Sequence, residues 1–247
     1  MNTSEKLTVD DGMTKANEKL FRSIVGGLMY LTHTCPDIMF PVSLVSRFMH
    51  NPSVRHLGAA KRILRYIRAT SNYGIWYKPI PNFQLVGFTD SDCAGFVDDR
   101  KSTSGYVFNL GSGAVSWSSK KQATAALPSP EAEYIAATTI VCQTVWIKRI
   151  LEDLQQVQGH ATEIYCDNKA TTSMTKNHVF HRRTKHIELR YHFIRDIVAE
   201  GVITMNYCST NEQVVDGFTK ELSYPKFVKF RSLLGVSGFV SRGSDEV

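Results

Sequence analysis

The sequence has no Cys-x-x-Cys pair, no internal repeat, no low-complexity tract, and no apolar run near the roughly 18 residues that a membrane span requires. Its five cysteines, Cys35, Cys93, Cys142, Cys166 and Cys208, are scattered and odd in number. That argues against a disulfide framework or a thiolate zinc site and fits a reducing compartment. Residues 1–18 are polar and of mixed charge, without the apolar stretch of a secretory leader. These absences read as a soluble intracellular protein, with nothing to choose between a cytoplasmic particle and the nucleus. Acids are scarce in one place only. Residues 20–83 hold eight Lys and Arg against Asp37 alone, whereas residues 84–222 hold fourteen bases and sixteen acids.

Otherwise the composition is ordinary: 247 residues, 43% hydrophobic and 11% aromatic, with a formal net charge of +6. Such a chain can bury a sizeable core, so disorder of the whole is excluded. A basic segment followed by a slightly acidic one is the layout expected of a grip on a polyanion beside a carboxylate-bearing site. Residues 1–19 read as a flexible lead-in. Residues 20–81 read as a basic helical segment, 82–222 as an α/β domain, and 223–247 as a C-terminal helix and tail that is loose from about Ser237. In the helical segment Ile24, Leu28 and Leu31 share one face, as do Val42, Val45 and Phe48, with Pro36 and Pro41 breaking the stretch into short helices. A third helix over 53–68 turns Leu57, Ala60, Ile63, Leu64 and Ile67 inward. Its other side carries Lys61, Arg62, Arg65 and Arg68, which read either as a solvated face or as contacts to phosphates.

Past Pro81 the pattern changes to short β runs at 83–90, 103–110 and 114–119, the last two joined at Gly111-Ser112-Gly113. A long helix follows, with Ser129 as N-cap and Pro130 in its first turn. Then come a strand over 163–167, a short helix from Ala170, a basic helix over 184–200, a strand over 202–208, and a last helix capped by Asn211 and running to about Leu222. Three strands in a meander and then alternating elements imply a mixed sheet with helices packed on it. Four acids fall where no hydrophobic pattern requires them: Asp90 and Asp167 at strand ends, Glu133 early in the long helix, and Asp216 in the last helix. If the first and fourth strands are neighbours, Asp90 and Asp167 converge. Such a cluster repels itself unless divalent cations neutralise it, and hard oxygen ligands suit Mg²⁺ or Mn²⁺. Two such ions would serve phosphodiester hydrolysis.

Asp90-Ser-Asp-Cys-Ala-Gly and Asp98-Asp-Arg-Lys-Ser-Thr-Ser-Gly-Tyr106 resemble the opening of the ribonuclease H domain of copia-type LTR retrotransposon Pol polyproteins. So do Ser116-Trp-Ser-Ser-Lys-Lys-Gln122, Glu131-Ala-Glu-Tyr-Ile-Ala136, Tyr165-Cys-Asp-Asn-Lys-Ala170, Arg183-Thr-Lys-His-Ile-Glu-Leu-Arg-Tyr-His-Phe-Ile-Arg195 and Glu212-Gln-Val-Val-Asp-Gly-Phe-Thr-Lys220. Ser23-Ile-Val-Gly-Gly-Leu-Met-Tyr-Leu31 and Pro36-Asp-Ile38 are similar to the segment between polymerase and ribonuclease H in those polyproteins. The resemblance covers about 20–236. It implies a ribonuclease H-like mixed five-stranded sheet flanked by helices, preceded by a short helical connection segment. It also implies two Mg²⁺ ions, with Mn²⁺ able to substitute, and hydrolysis of the RNA strand of RNA–DNA hybrids. Carried over by position, the catalytic and metal-holding acids are Asp90, Glu133, Asp167 and Asp216. The resemblance, not the spacing, selects Glu133 over Glu131.

Cys35 and Cys93 depart from the family's usual Arg and Trp, and Pro128 and Pro130 replace small hydroxylated residues. Phe96-Val97-Asp98-Asp99 superficially resembles a polymerase palm hairpin but lacks the flanking apolar strands, so no polymerase is expected. His178 and His181 have zinc-like spacing without a completing Cys or acid. In the same stretch Arg183, Lys185, His186 and Arg190 are candidates for phosphate contact. The partners expected are an RNA–DNA hybrid and the polymerase domain. Two other readings compete: an inactive retroelement fragment that binds nucleic acid or a polymerase partner, and a strand-transfer enzyme on the same fold, whose motifs match less well.

Overall fold

The computed structural model describes residues 6–80, 83–92, 95, 96, 98–123, 129–176, 185–210 and 212–239. It divides into two units, one of Met1–Pro79, Ser112–Ala114 and Glu221–Val247, the other of Ile80–Gly111 and Val115–Lys220.

In the first unit, α1 (Glu18–Leu31) starts where the Asn17 side chain accepts the Leu20 N–H at 2.9 Å, and it buries Phe21, Val25 and Leu28. Next come α2 (Met39–Ser46) and α3 (Val54–Ala69). A reciprocal cap opens α3: the Ser53 hydroxyl accepts the His56 N–H at 3.3 Å, and His56 Nδ1 accepts the Ser53 N–H at 3.0 Å. The His56 ring is buried and stacks on Phe48 with centroids 3.9 Å apart. This lock fixes the rotation of α3, so that His56, Ala59, Ala60 and Ile63 point inward. Leu64, expected inside, sits at the edge of that stripe and is 40% exposed. The expected flexible lead-in is instead tied down over residues 8–16: His56 Nε2 meets the Thr8 carbonyl at 3.1 Å, the Ala16 N–H donates to Pro52 O at 2.8 Å, and the Val54 N–H donates to Thr14 O at 2.9 Å.

Further along, β1 (Tyr73–Ile75) pairs antiparallel with β7 (Val236–Gly238), which follows α8 (Tyr224–Leu233). Ser237 and Gly238, expected to be loose, therefore belong to a ladder, while residues 240–247 lie outside the described ones.

The second unit is built on β2 (Leu85–Ser91), β3 (Thr103–Leu110), β4 (Gly113–Lys121), β5 (Thr162–Cys166) and β6 (Ile203–Tyr207), in the order β4-β3-β2-β5-β6. β2 is antiparallel to β3 but parallel to β5, and β5 is parallel to β6. This is the mixed five-stranded sheet expected. Its helices are α4 (Ser129–Asp153), α5 (Lys169–Lys176), α6 (Lys185–Ala199) and the single turn α7 (Asp216–Thr219). On α4, Tyr134, Ala137, Ile140, Val141, Ile147 and Leu151 recur at helical spacing and face Leu85, Phe108, Ile164, Ile194, Ile203 and Met205. The last helix expected before Leu222 is reduced to α7. The Gln213 side chain engages the backbone instead, donating to Thr89 O at 3.0 Å and accepting the Val215 N–H at 3.3 Å, which holds this stretch out of helix. Asn211 lies outside the described residues.

Gly105 of β3 lets α7 lie flat on the sheet. A β-carbon there would fall 2.8 Å from Phe218 Cβ and from Val215 Cγ1, and 3.0 Å from Thr219 Cγ2. Gly105→Ala should therefore lift α7 and cost about 1–3 kcal/mol of stability, read by denaturant unfolding. An unchanged midpoint would show that α7 is free to shift.

Candidate active site

Strand register brings the first two acids together. β2 and β5 pair as Val86↔Glu163, Gly87↔Ile164 and Phe88↔Tyr165. Two residues further, the same register and the same side of the pleat set Asp90 beside Asp167. Glu133 arrives from the second turn of α4. Oxygens of Asp90, Glu133 and Asp167 all lie within 4.8 Å of one another. Asp216, the fourth expected acid, is not one of these three. It is buried at the head of α7, and its Oδ1 pairs with Lys220 Nζ at 2.8 Å.

Neighbours hold each acid in place. Thr219 donates its hydroxyl to Asp90 Oδ2 at 2.5 Å. Thr210 donates to Asp167 Oδ2 at 3.3 Å. The Ser91 backbone N–H serves the Glu133 carboxylate. Gln122 joins the strand ends to the helix, its Nε2 lying 2.8 Å from Ser104 Oγ and 2.9 Å from Ala132 O. Asp92, the near alternative to Asp90, turns its carboxylate to the Thr103 backbone N–H and so caps β3. Sequence reasoning missed Thr219, Lys220 and Gln122 as parts of the site. The signal for Lys220 was its place four residues after Asp216, the helical spacing for an ion pair.

The site's electrostatics follow from this crowding. Burial pushes the Asp90 carboxyl up to about 6, against the pull of the Thr219 hydroxyl and Lys220 and with the push of Asp167 and Asp216. Burial, then Asp90 and Asp167, raise Glu133 to about 9. Burial works against the Lys220 charge, yet the bond to Asp216 and the fields of Asp90, Asp216 and Asp167 outweigh it and hold its pKa above the usual lysine value. The donor set is all carboxylate oxygen and short of positive charge, which fits a hard divalent cation such as Mg²⁺.

The other sequence candidates separate into groups. Lys61, Arg62, Arg65 and Arg68 are exposed on α3 in the first unit, and Arg190 is exposed on α6 in the second. Lys185 and His186 open α6, but their side chains lie outside the described ones, as do Cys93, Pro128, His178, His181 and Arg183 altogether. Phe96 is buried under Lys121, whose Nζ pairs with Asp99 at 2.6 Å, and residues 98–99 form a turn rather than a palm hairpin. Among the described residues no helix is long and apolar enough to cross a membrane.

A raised acid binds its proton more tightly in the folded than in the unfolded chain. Its contribution to stability is full below the unfolded pKa and is lost as pH rises through the folded value. In chelator the melting temperature should therefore fall between pH 5 and 9, as Asp90 and then Glu133 ionise near 6 and 9. Mg²⁺ should raise it most at pH 9, and Glu133→Gln should flatten the chelator profile. A profile that is the same in Glu133→Gln as in the parent would show that Glu133 is not perturbed.

No family model matches the chain. The retrovirus-related Pol polyprotein from transposon RE2 of Arabidopsis thaliana is 41% identical over 236 residues, covering 96% of this chain and 16% of that protein. The corresponding polyprotein from transposon TNT 1-94 of Nicotiana tabacum is 42% identical over 220 residues, 87% of this chain and 16% of its own length. A foamy viral protease-reverse transcriptase, solved in complex with RNA/DNA hybrid, aligns with 82% of this chain and 26% of its own at TM-score 0.50 and 14% identity, a likeness of fold. The chain thus spans 16% of the length of these plant relatives. The chain, with its mixed five-stranded sheet and a helical segment before it, has as its homologues the retrovirus-related Pol polyproteins of plant transposons, of which it matches one part.

Proposed function

We propose that this chain is a metal-dependent endonuclease that hydrolyses the RNA strand of RNA–DNA hybrids. The observation that carries this reading is the convergence of Asp90, Glu133 and Asp167 oxygens within 4.8 Å on a ribonuclease H-like sheet. In this reading the three acids hold Mg²⁺, or Mn²⁺ in its place, and Asp216 completes a second position. When bound, two such cations supply charge for the attacking and leaving oxygens of a phosphodiester.

The chain's own residues do the remaining work. Thr219 fixes the rotamer of Asp90, and Ser91 and Gln122 hold the junction where Glu133 enters. Lys220 keeps Asp216 oriented and offsets part of the cluster's negative charge. In the unit that carries the acids, exposed Arg190 on α6 contacts the phosphates of a hybrid. The exposed bases of α3 are the first unit's own phosphate contacts, and the polymerase domain of the polyprotein is the protein partner this reading expects.

Cleavage of a labelled RNA–DNA hybrid by the purified chain, in Mg²⁺, in Mn²⁺ and in chelator, tests the proposal. Metal-dependent RNA cuts are expected, with Asp90→Asn and Asp167→Asn each losing at least about 100-fold. A folded protein that binds the hybrid without cutting it would instead be an inactive element fragment. Thr219→Val keeps the shape but removes the donor to Asp90. It should lower activity or metal affinity about 10–100-fold, a loss that a Thr219→Ser variant recovers.

A further inference from the structure

Away from the acidic site, the β1–β7 ladder of the first unit carries two aromatic rings on its open side. Strand alternation sets Gly74 and Trp76 on the same side as Ser237 and Phe239. The opposite side is partly covered, with Tyr77 still 55% and Tyr73 36% exposed. Ile75 and Tyr77 pack on Gly113, the Tyr77 hydroxyl donates to Ala114 O at 2.6 Å, and the Arg231 guanidinium lies 4.3 Å over the Tyr73 ring. Trp76 and Phe239 are left 50% and 42% exposed.

Their frames are fixed rather than loose. The Trp76 N–H donates to Gly235 O at 2.8 Å and the Phe239 N–H to Asn72 O at 2.7 Å. The Phe239 ring lies across Gly74, where a β-carbon would fall 2.6 Å from its Cε2. The two rings stand 5.2 Å apart between centroids and 53° from parallel.

We propose that this pair is a stacking platform for the bases of a single-stranded nucleic acid. The proposal rests on reading the chain as a nucleic-acid enzyme and adds an unpaired strand to the hybrid. Charge favours a polyanion. The one acid of residues 20–83 is Asp37, which is 7% exposed and hydrogen-bonded by Tyr66, so this segment turns only positive charge to solvent. The Tyr73 N–H donates to Thr70 O at 2.9 Å, so β1 turns directly off α3, the helix that carries exposed Arg65 and Arg68. Shape favours bases over a protein. A protein partner needs a broad apolar patch, but among the described residues of the ladder this face adds only Gly74 and Ser237 to the two rings. A base needs only a flat ring, and stacking on one is tolerant of sequence.

The test is the affinity of the full chain for a fluorescein-labelled oligodeoxythymidine, measured by anisotropy in chelator. This DNA is not a hybrid, so the result is read whether or not the protein cuts hybrids. Trp76→Ala and Phe239→Ala should each weaken binding roughly 5- to 100-fold, and Trp76→Phe should keep most of the affinity. Arg65→Ala with Arg68→Ala should instead lower the salt slope, by about 0.7 for each phosphate no longer neutralised. Parent-like binding by both alanine variants would overturn the proposal. So would a Trp76→Phe variant that binds as weakly as Trp76→Ala, which would mark the pair as a structural element or a protein-docking face.

Discussion

The parallel pairing of β2 with β5 sets Asp90 beside Asp167, and α4 adds Glu133, so three acids, one buried and two half-buried, crowd one corner of the sheet. Everything near them answers to that repulsion. Two of the three carboxyls are driven well above their ordinary range, the direction expected when burial and like charge act together. A sheet that spent such groups only on stability would do better with apolar residues of similar size. Their convergence at the strand ends concentrates negative charge that a cation held there would offset.

The protein also supplies some compensation of its own, mostly from α7 and the residue after it. A glycine on β3 lets that single turn approach the sheet, which places Thr219 on Asp90 and brings Lys220 into the field of the acids. The turn is short because Gln213 spends its side chain on backbone groups of β2 and of its own segment. Packing, hydrogen bonding and charge at this corner are therefore one arrangement, and a change in any of them reaches the acids.

Much of this could be read from residue order. The β runs after Pro81, the amphipathic stripe of α4 and the four acids at element ends are local signals, and local signals survive into the structure. The partnership of the first and fourth strands was only a condition in the sequence, because register is set by pairs of segments rather than by either one. What was missed depended on groups distant in sequence. The lead-in looked loose until His56, 48 residues later, reached the Thr8 carbonyl. β1 is three residues long and means nothing without Val236–Gly238 opposite it. Leu64 was misplaced because the cap at Ser53 and His56, not the count of leucines, sets how α3 is turned.

The first unit is assembled from both sides of the second: β1 lies at 73–75 and its ladder partner, β7, at 236–238. On the ribosome, the strands and helices around the acids are all synthesised before β7 emerges. The acidic site can thus be finished while the earlier unit still waits for its last strand, and β1 spends that interval without the partner that satisfies its hydrogen-bonding edge. Closing a loop of this length is slow relative to local folding. The helical unit is encoded first and completed last, which makes its exposed strand the segment most open to mispairing during synthesis.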